Sequence, residues 1–188
     1  MSNLPDPLPV ILCGQSTKIG KPVAEAMLPE IEVIHFIQTN DAALAEIPHL
    51  LAGRGPQSPH DNGVGSGNYS QPARAVICGH GYSVSDVETF RAACEGVIQE
   101  PVVWVLSDPA KQRAPDASLP GEGYAKVAAQ LAKDIIMKWK EDGADKDEVI
   151  FFQALSFGVI MIAGARAQYF GNLRNLTPRW ARHYTEAI

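Results

Sequence analysis

Two short stretches of this chain carry the residue types that do chemistry at a ligand. The first is Gly14-Gln15-Ser16-Thr17-Lys18-Ile19-Gly20, which follows the apolar run Pro9–Cys13 and leads into a helical pattern. A buried strand, a glycine-bounded polar turn and a helix start together point backbone N–H groups and the positive end of the helix dipole at one place, so the turn suits a phosphate or carboxylate. Ser16, Thr17 and Lys18 add two hydroxyls and an ammonium. The second stretch is Gly79-His80-Gly81-Tyr82-Ser83, after the apolar run Ala73–Cys78. An imidazole set between two glycines at the end of a strand is suited to general acid–base work near neutral pH. Asp108, in Ser107-Asp108-Pro109 after a fourth apolar run, is the candidate partner for His80.

The elements that must position these turns follow from hydrophobic pattern. Five apolar runs read as strands: Val10–Cys13, Glu32–Ile37, Ala73–Cys78, Pro101–Leu106 and Val149–Phe152. Their near-continuous apolar character suits a parallel sheet covered on both faces. Helical spacing separates them. One helix begins near Ile19 or Gly20, with Pro22 in its first turn, where a missing N–H is tolerated. The next is capped by Asn40 or Asp41 and carries Leu44, Ile47, Leu50 and Leu51. A third follows Ser83 or Ser85, and the longest runs from Tyr124 to about Glu141 with Val127, Leu131, Ile135, Ile136 and Trp139 on one face.

Strand–helix alternation predicts a single Rossmann-like α/β domain over residues 1–188, a three-layer doubly wound fold with a five-stranded parallel sheet. Two strand orders fit. In 2-1-3-4-5 the turns Gly14–Gly20 and Gly79–Ser83 share one crevice, whereas in 3-2-1-4-5 the crevice pairs Gly14–Gly20 with Asp108–Lys111. The first is preferred, because both of its turns carry glycines and short polar side chains. The polar stretch Gly53–Pro72 is long for a compact domain and reads as a lid or a mobile connection. Ala154–Ala165 is almost wholly apolar and too short to span a bilayer, so it predicts a buried or interface helix within a C-terminal extension over 153–188.

The Gly14–Gly20 turn resembles the Gly-x-x-Gly-x-x-Gly turn of short-chain dehydrogenases and NmrA-like NAD(P)-binding proteins. Gly14, Ile19 and Gly20 match, and Thr17 stands at the middle glycine. The resemblance covers the first 40 residues or so. It implies NAD(P) as cofactor and a nucleotide or dinucleotide as partner, held by Gly14, Gln15, Ser16, Thr17, Lys18, Ile19 and Gly20, with Gln38, Thr39 or Asn40 placed to hydrogen-bond the ribose and Gly79 and Gly81 on the facing turn. The chain departs from it in two ways. Residues 37–41 delay the expected ribose-binding acid, and Tyr124-Ala125-Lys126 lacks the Tyr-x-x-x-Lys spacing, since two positions apart on a helix diverge by about 200°.

Further classes are excluded or set aside by composition. A net charge of −5 and the lack of a basic stripe argue against nucleic acid. Cys13, Cys78 and Cys94 read as reduced cytosolic thiols, without metal-ligand spacing, and Cys78 belongs to its strand. The proline-bearing start lacks the basic residues of a signal peptide, so a cytoplasmic protein is expected. His35 reads as a hydrogen-bonded core residue. Besides nucleotide binding, the sequence leaves open a cofactor-free acid–base enzyme using His80 on a small carbonyl or carboxylate metabolite, and a non-catalytic homodimeric scaffold formed through Ala154–Ala165.

Overall fold

The computed structural model describes residues 4–57, 62–107, 121–152 and 163–164. The chain runs β1 (Leu8–Cys13), α1 (Thr17–Met27), β2 (Ile31–Ile37), α2 (Asn40–Leu51), β3 (Ala75–Cys78), α3 (Val84–Ala93), β4 (Val103–Ser107), α4 (Gly121–Glu141), β5 (Glu148–Phe152) and β6 (Ala163–Gly164). The sheet order is β2-β1-β3-β4-β5-β6. Its first five strands are parallel, in the 2-1-3-4-5 order. The chain turns from β1 to β2 on one side and then continues through β3 on the other. The carboxyl ends of β1 and β3 therefore flank the switch point where such sheets hold ligands.

Three layers follow from the two cores. One core lies between the sheet and α1 and α4, around Leu12, Met27, Phe36, Ile77, Ile135 and Ile136. The other lies between the sheet and α2 and α3, around Ile11, Ile47, Leu50, Val76, Phe90 and Leu106. β1 is buried along its whole length, which is why it reads as an unbroken apolar run.

β2 carries the one irregularity that matters for the site. Val10 pairs with Val33 but Ile11 pairs with His35, so β2 holds one residue more than β1 at Ile34. Side chains alternate faces along a strand, and one extra residue reverses the phase of everything after it. Val33 belongs to the α1/α4 core, and beyond the bulge Phe36 returns to that same face. Ile34 and Ile37 belong to the opposite core. His35 is 4% exposed, with Nε2 at 2.6 Å from Glu46 Oε2 on α2 and Nδ1 at 2.8 Å from the Tyr69 hydroxyl. The expectation of a hydrogen-bonded core histidine holds.

Over its described residues 62–72 the polar stretch after α2 packs along β2. Ser66 N–H donates to Val33 O and Gly67 N–H to Ile34 O, while Asn62 Nδ2 donates to Phe36 O at 2.8 Å. The segment therefore occupies the free edge of β2, the edge a sheet must protect from pairing with another chain. Gly65 has φ +94°, and a Cβ there would lie 3.1 Å from the backbone of Ile34 and His35; glycine is what lets the loop lie this close.

Four local expectations are corrected. α1 begins at Thr17 rather than near Ile19, so Pro22 lies in its second turn and leaves the Lys18 carbonyl without its helical donor. α2 is capped by Thr39, whose hydroxyl accepts from Ala42 N–H, and not by Asn40 or Asp41. Val127 is exposed on α4, and the buried face is instead Ala125, Ala128, Ala129, Leu131, Ala132, Ile135, Ile136 and Trp139. Within the expected helix Ala154–Ala165, Ala163 and Gly164 pair antiparallel with Phe151 and Ile150, satisfying backbone groups along the outer edge of β5. The rest of the 153–188 extension lies outside the described residues. Among the described residues no helix is long and apolar enough to cross a membrane.

Candidate functional site: the crevice between β1 and β3

A cavity of about 250 Å³ opens at the switch point. Leu12, Ile77 and Phe152 from the sheet form its floor, with the Phe36 ring beside them. Ile19, Gly20 and Val23 of α1 form one wall, and Tyr124, Ala128 and Ala132 of α4 form the other. Those α4 residues recur every four positions, on one helix face, and the two alanines leave the hollow. Gly14, Gln15, Ser16, Gly79 and His80 surround the mouth. Among the described residues no Asp, Glu, Lys or Arg lines it. The described lining is mostly apolar, with Gln15, Ser16, His80 and Tyr124 as its polar side chains.

The turn above the cavity divides its amides between the protein and open space. Gly14 N–H donates to Ile37 O and Gly79 N–H to Cys13 O, which extends the ladder of the sheet past the strands. Ile19 and Gly20 N–H groups both donate to Ser16 O. The four amides between, at Gln15, Ser16, Thr17 and Lys18, donate to no described residue. Ser16 stands at the N-cap of α1 but its hydroxyl makes no capping bond. The turn is held from the side instead, where Gln38 Nε2 donates to Gln15 O at 3.2 Å. Unpaired amide donors at a helix start are groups to which an anion or a carbonyl oxygen can bond.

The two glycines that bound this turn make room for a neighbour. A Cβ on Gly20 would lie 2.7 Å from Phe36 Cε2 and Cζ, and one on Gly14 would lie 3.1 Å from Phe36 Cε2. The amides of Gly14, Ile19 and Gly20 are spent on the protein, so these residues shape the cavity, and of the four unpaired amides those of Gln15 and Ser16 belong to residues that line it.

The facing turn is tied down around His80. Tyr82 N–H closes the turn on Gly79 O, and the buried Tyr82 hydroxyl donates to Ile37 O at 3.3 Å; burial, followed by the nearby Cys13, raises its pKa. Ser83 caps α3, and Asp86 returns the bond to Ser83 N–H at 2.7 Å, the reciprocal capping box that fixes a helix start. Asp86 also accepts from Asn40 Nδ2, joining the starts of α2 and α3. These bonds hold the Asp86 carboxyl below the usual carboxylate range, with the Ser83 amide the first cause. Gly81 has φ +108°, and a Cβ there would lie 2.6 Å from the Gln15 side chain, so Gln15 packs over it. His80 itself is exposed at the mouth.

Of the residues singled out by sequence, Gly14, Gln15, Ser16, Ile19, Gly20, Gly79 and His80 come together around the cavity. Thr17 and Lys18 begin α1 above it. Thr39 caps α2 and does not line the cavity, and Gly81 lies beneath Gln15. Asp108 lies outside the described residues. Cys78 is 1% exposed and belongs to the opposite core beside Cys13, its register partner. The α4 wall and Phe36 escaped the sequence reading. The repeat Tyr124, Ala128, Ala132 was the available signal for the first, a row of small residues behind a tyrosine. Among the described residues no group of three or more His, Cys, Asp or Glu could hold a metal ion.

No family model and no solved structure matches the chain. A curated relative does: Kojic acid related protein 6 of Aspergillus oryzae (strain ATCC 42149 / RIB 40) is 36% identical over 148 residues, which span 78% of this chain and 87% of the relative. The chain belongs to the Kojic acid related protein 6 family. As a member of the Kojic acid related protein 6 family it combines, in one crevice, the free amides of the β1–α1 turn with an apolar hollow against α4.

Proposed function

We propose that the chain binds a small ring-bearing ligand, of mononucleotide scale or below, in the β1/β3 crevice. The ring lies in the cavity, and an anionic or hydrogen-bond-accepting end rests on the amides of Gln15, Ser16, Thr17 and Lys18. The observation that carries this reading is a mostly apolar cavity of about 250 Å³ lined by Gln15 and Ser16, the first two of four successive residues with unpaired amides. Ligand sites in α/β sheets combine such apolar lining with a few convergent polar groups. NAD(P) is the larger ligand of this class. Thr17 occupies the middle-glycine position of the resemblance, and its Cβ holds a pyrophosphate away from the backbone, which favours the smaller ligand. The relative's name refers to kojic acid, so that small ring compound joins the nucleotides as a ligand to test.

A second reading is favoured by the place of His80 at the mouth. There its imidazole can exchange a proton with a carbonyl or carboxylate metabolite held by the same amides. His80→Ala then removes turnover and leaves binding intact.

Melting temperature in the presence of millimolar AMP, NAD(H), NADP(H) or kojic acid tests the primary reading. A ligand at a hundred times its Kd adds about 2.7 kcal/mol, worth roughly 2–4 °C per kcal/mol for a chain of this size. At least one of these ligands raises the melting temperature by several degrees, and Ala132→Leu, which fills the hollow, removes the rise while the protein stays folded. If none stabilises the wild type, the reading fails.

A further inference from the structure

Gln15 joins the two turns at the mouth of the cavity. Its backbone belongs to the β1–α1 turn, where its carbonyl accepts from Gln38 Nε2 at 3.2 Å. Its side chain lies on Gly81 of the facing turn: a Cβ at that glycine would stand 2.6 Å from Gln15 Cδ and Nε2 and 3.1 Å from Cγ. Gln15 lines the cavity together with Gly79 and His80, whereas Gly81 does not. Gly81 therefore meets the site through Gln15. The residue after it is tied down twice, since Tyr82 N–H donates to Gly79 O and the Tyr82 hydroxyl to Ile37 O. The carboxamide thus rests on a fixed platform. A long side chain loses rotamer freedom when it is held, and holding it before the ligand arrives removes that cost from binding.

We infer that Gly81 is a positioning residue of the β1/β3 site: it leaves the room in which the Gln15 carboxamide lies across the mouth and meets the polar end of the ligand. This rests on the cavity being the ligand site. A methyl group at position 81 would collide with the far end of a flexible side chain, so it displaces the carboxamide and leaves the two turns in place. The φ of +108° adds backbone strain to any such change. That strain is the same whether or not Gln15 is present, which separates it from the positioning role.

The test is NMR titration of AMP and kojic acid into full-length wild type, Gln15→Ala, Gly81→Ala and the double variant. For whichever probe binds, Gly81→Ala weakens binding about fivefold, the equivalent of one net hydrogen bond, and Gln15→Ala weakens it to a similar extent. The double variant binds as Gln15→Ala does, because the added methyl has no carboxamide to displace. Gln15→Asn, a change at an exposed position that leaves the fold intact, keeps the carboxamide but falls short of Gly81, and it too binds more weakly. Wild-type affinity in Gly81→Ala or in Gln15→Asn, or an equal loss from Gly81→Ala with and without Gln15, overturns the role of Gly81 and leaves the cavity as a ligand site. If neither probe binds the wild type at millimolar concentration, both conclusions fall.

Discussion

The Phe36 ring fills the space that a side chain at Gly20 would need, with a Cβ there only 2.7 Å from Phe36 Cε2 and Cζ. The glycine at the start of α1 and the aromatic near the end of β2 are thus one packing unit. The bulge at Ile34 brings Phe36 to that face. Gly20→Ala is expected to destabilise by about 1–3 kcal/mol through overpacking. In a Phe36→Leu background the same change becomes neutral or stabilising, since alanine is the better helix former. Urea denaturation of the four proteins gives the coupling; equal costs in both backgrounds contradict the packing unit.

The His35–Glu46–Tyr69 chain anchors the loop that covers the β2 edge. Tyr69→Phe removes one part-buried hydrogen bond and costs about 1 kcal/mol, whereas His35→Leu also leaves the buried Glu46 carboxyl without its partner and costs about 1–3 kcal/mol or more. Both changes speed hydrogen exchange at the Ser66 and Gly67 amides, which bond to Val33 and Ile34. Unchanged exchange there shows that the loop holds the edge without its anchor.

Asp86 gives a pH dependence with a definite sign. Its carboxyl is held below its ordinary value by the Ser83 amide and hydroxyl and by Asn40. A depressed carboxylate contributes stability above the unfolded value of about 3.9 and loses it as pH falls through the folded value. Asp86→Asn therefore costs about 0.5–1 kcal/mol at pH 7, and the difference from wild type vanishes in buffer more acidic than the folded value. A cost that is the same at both pH values places the effect elsewhere.

The three thiols should be unreactive in the folded protein. Cys13, Cys78 and Cys94 are all buried. The Cys13 pKa is raised, first by its hydrogen bond with Cys78 and then by burial, and burial pushes the Cys94 thiol up to about 12. Thiolate is the reactive form. Ellman's reagent at pH 8 is expected to release colour from three thiols in denaturant and from none within minutes in native buffer.

Much of the architecture was legible because buried parallel strands write themselves as apolar runs, and β1 from Leu8 to Cys13 is buried at every position. The β1–α1 turn was legible for a related reason, since glycine and short polar residues between a strand and a helix have few other uses. What stayed hidden depends on register. Ile31–Ile37 is apolar on both sides of the bulge, so nothing in its composition says that Phe36 faces the cavity and His35 the opposite core. The loop 62–72 looks like a lid from its glycines, yet those glycines let backbone lie against a strand edge, as Gly65 does against Ile34. The α4 wall was missed because an amphipathic search favours large apolar residues such as Val127, while the cavity needs the small ones, Ala128 and Ala132.

The central claim is that the amides of Gln15–Lys18 and the hollow beneath them receive one ligand. Amide chemical-shift mapping tests it most directly, with AMP and kojic acid each titrated to millimolar concentration into the full chain. The account predicts saturable shifts at Gln15, Ser16, Thr17, Lys18 and His80 and at Tyr124 across the cavity for at least one of the two, with little change along α2 and α3. Shifts confined to other surfaces, or none with either ligand, contradict it.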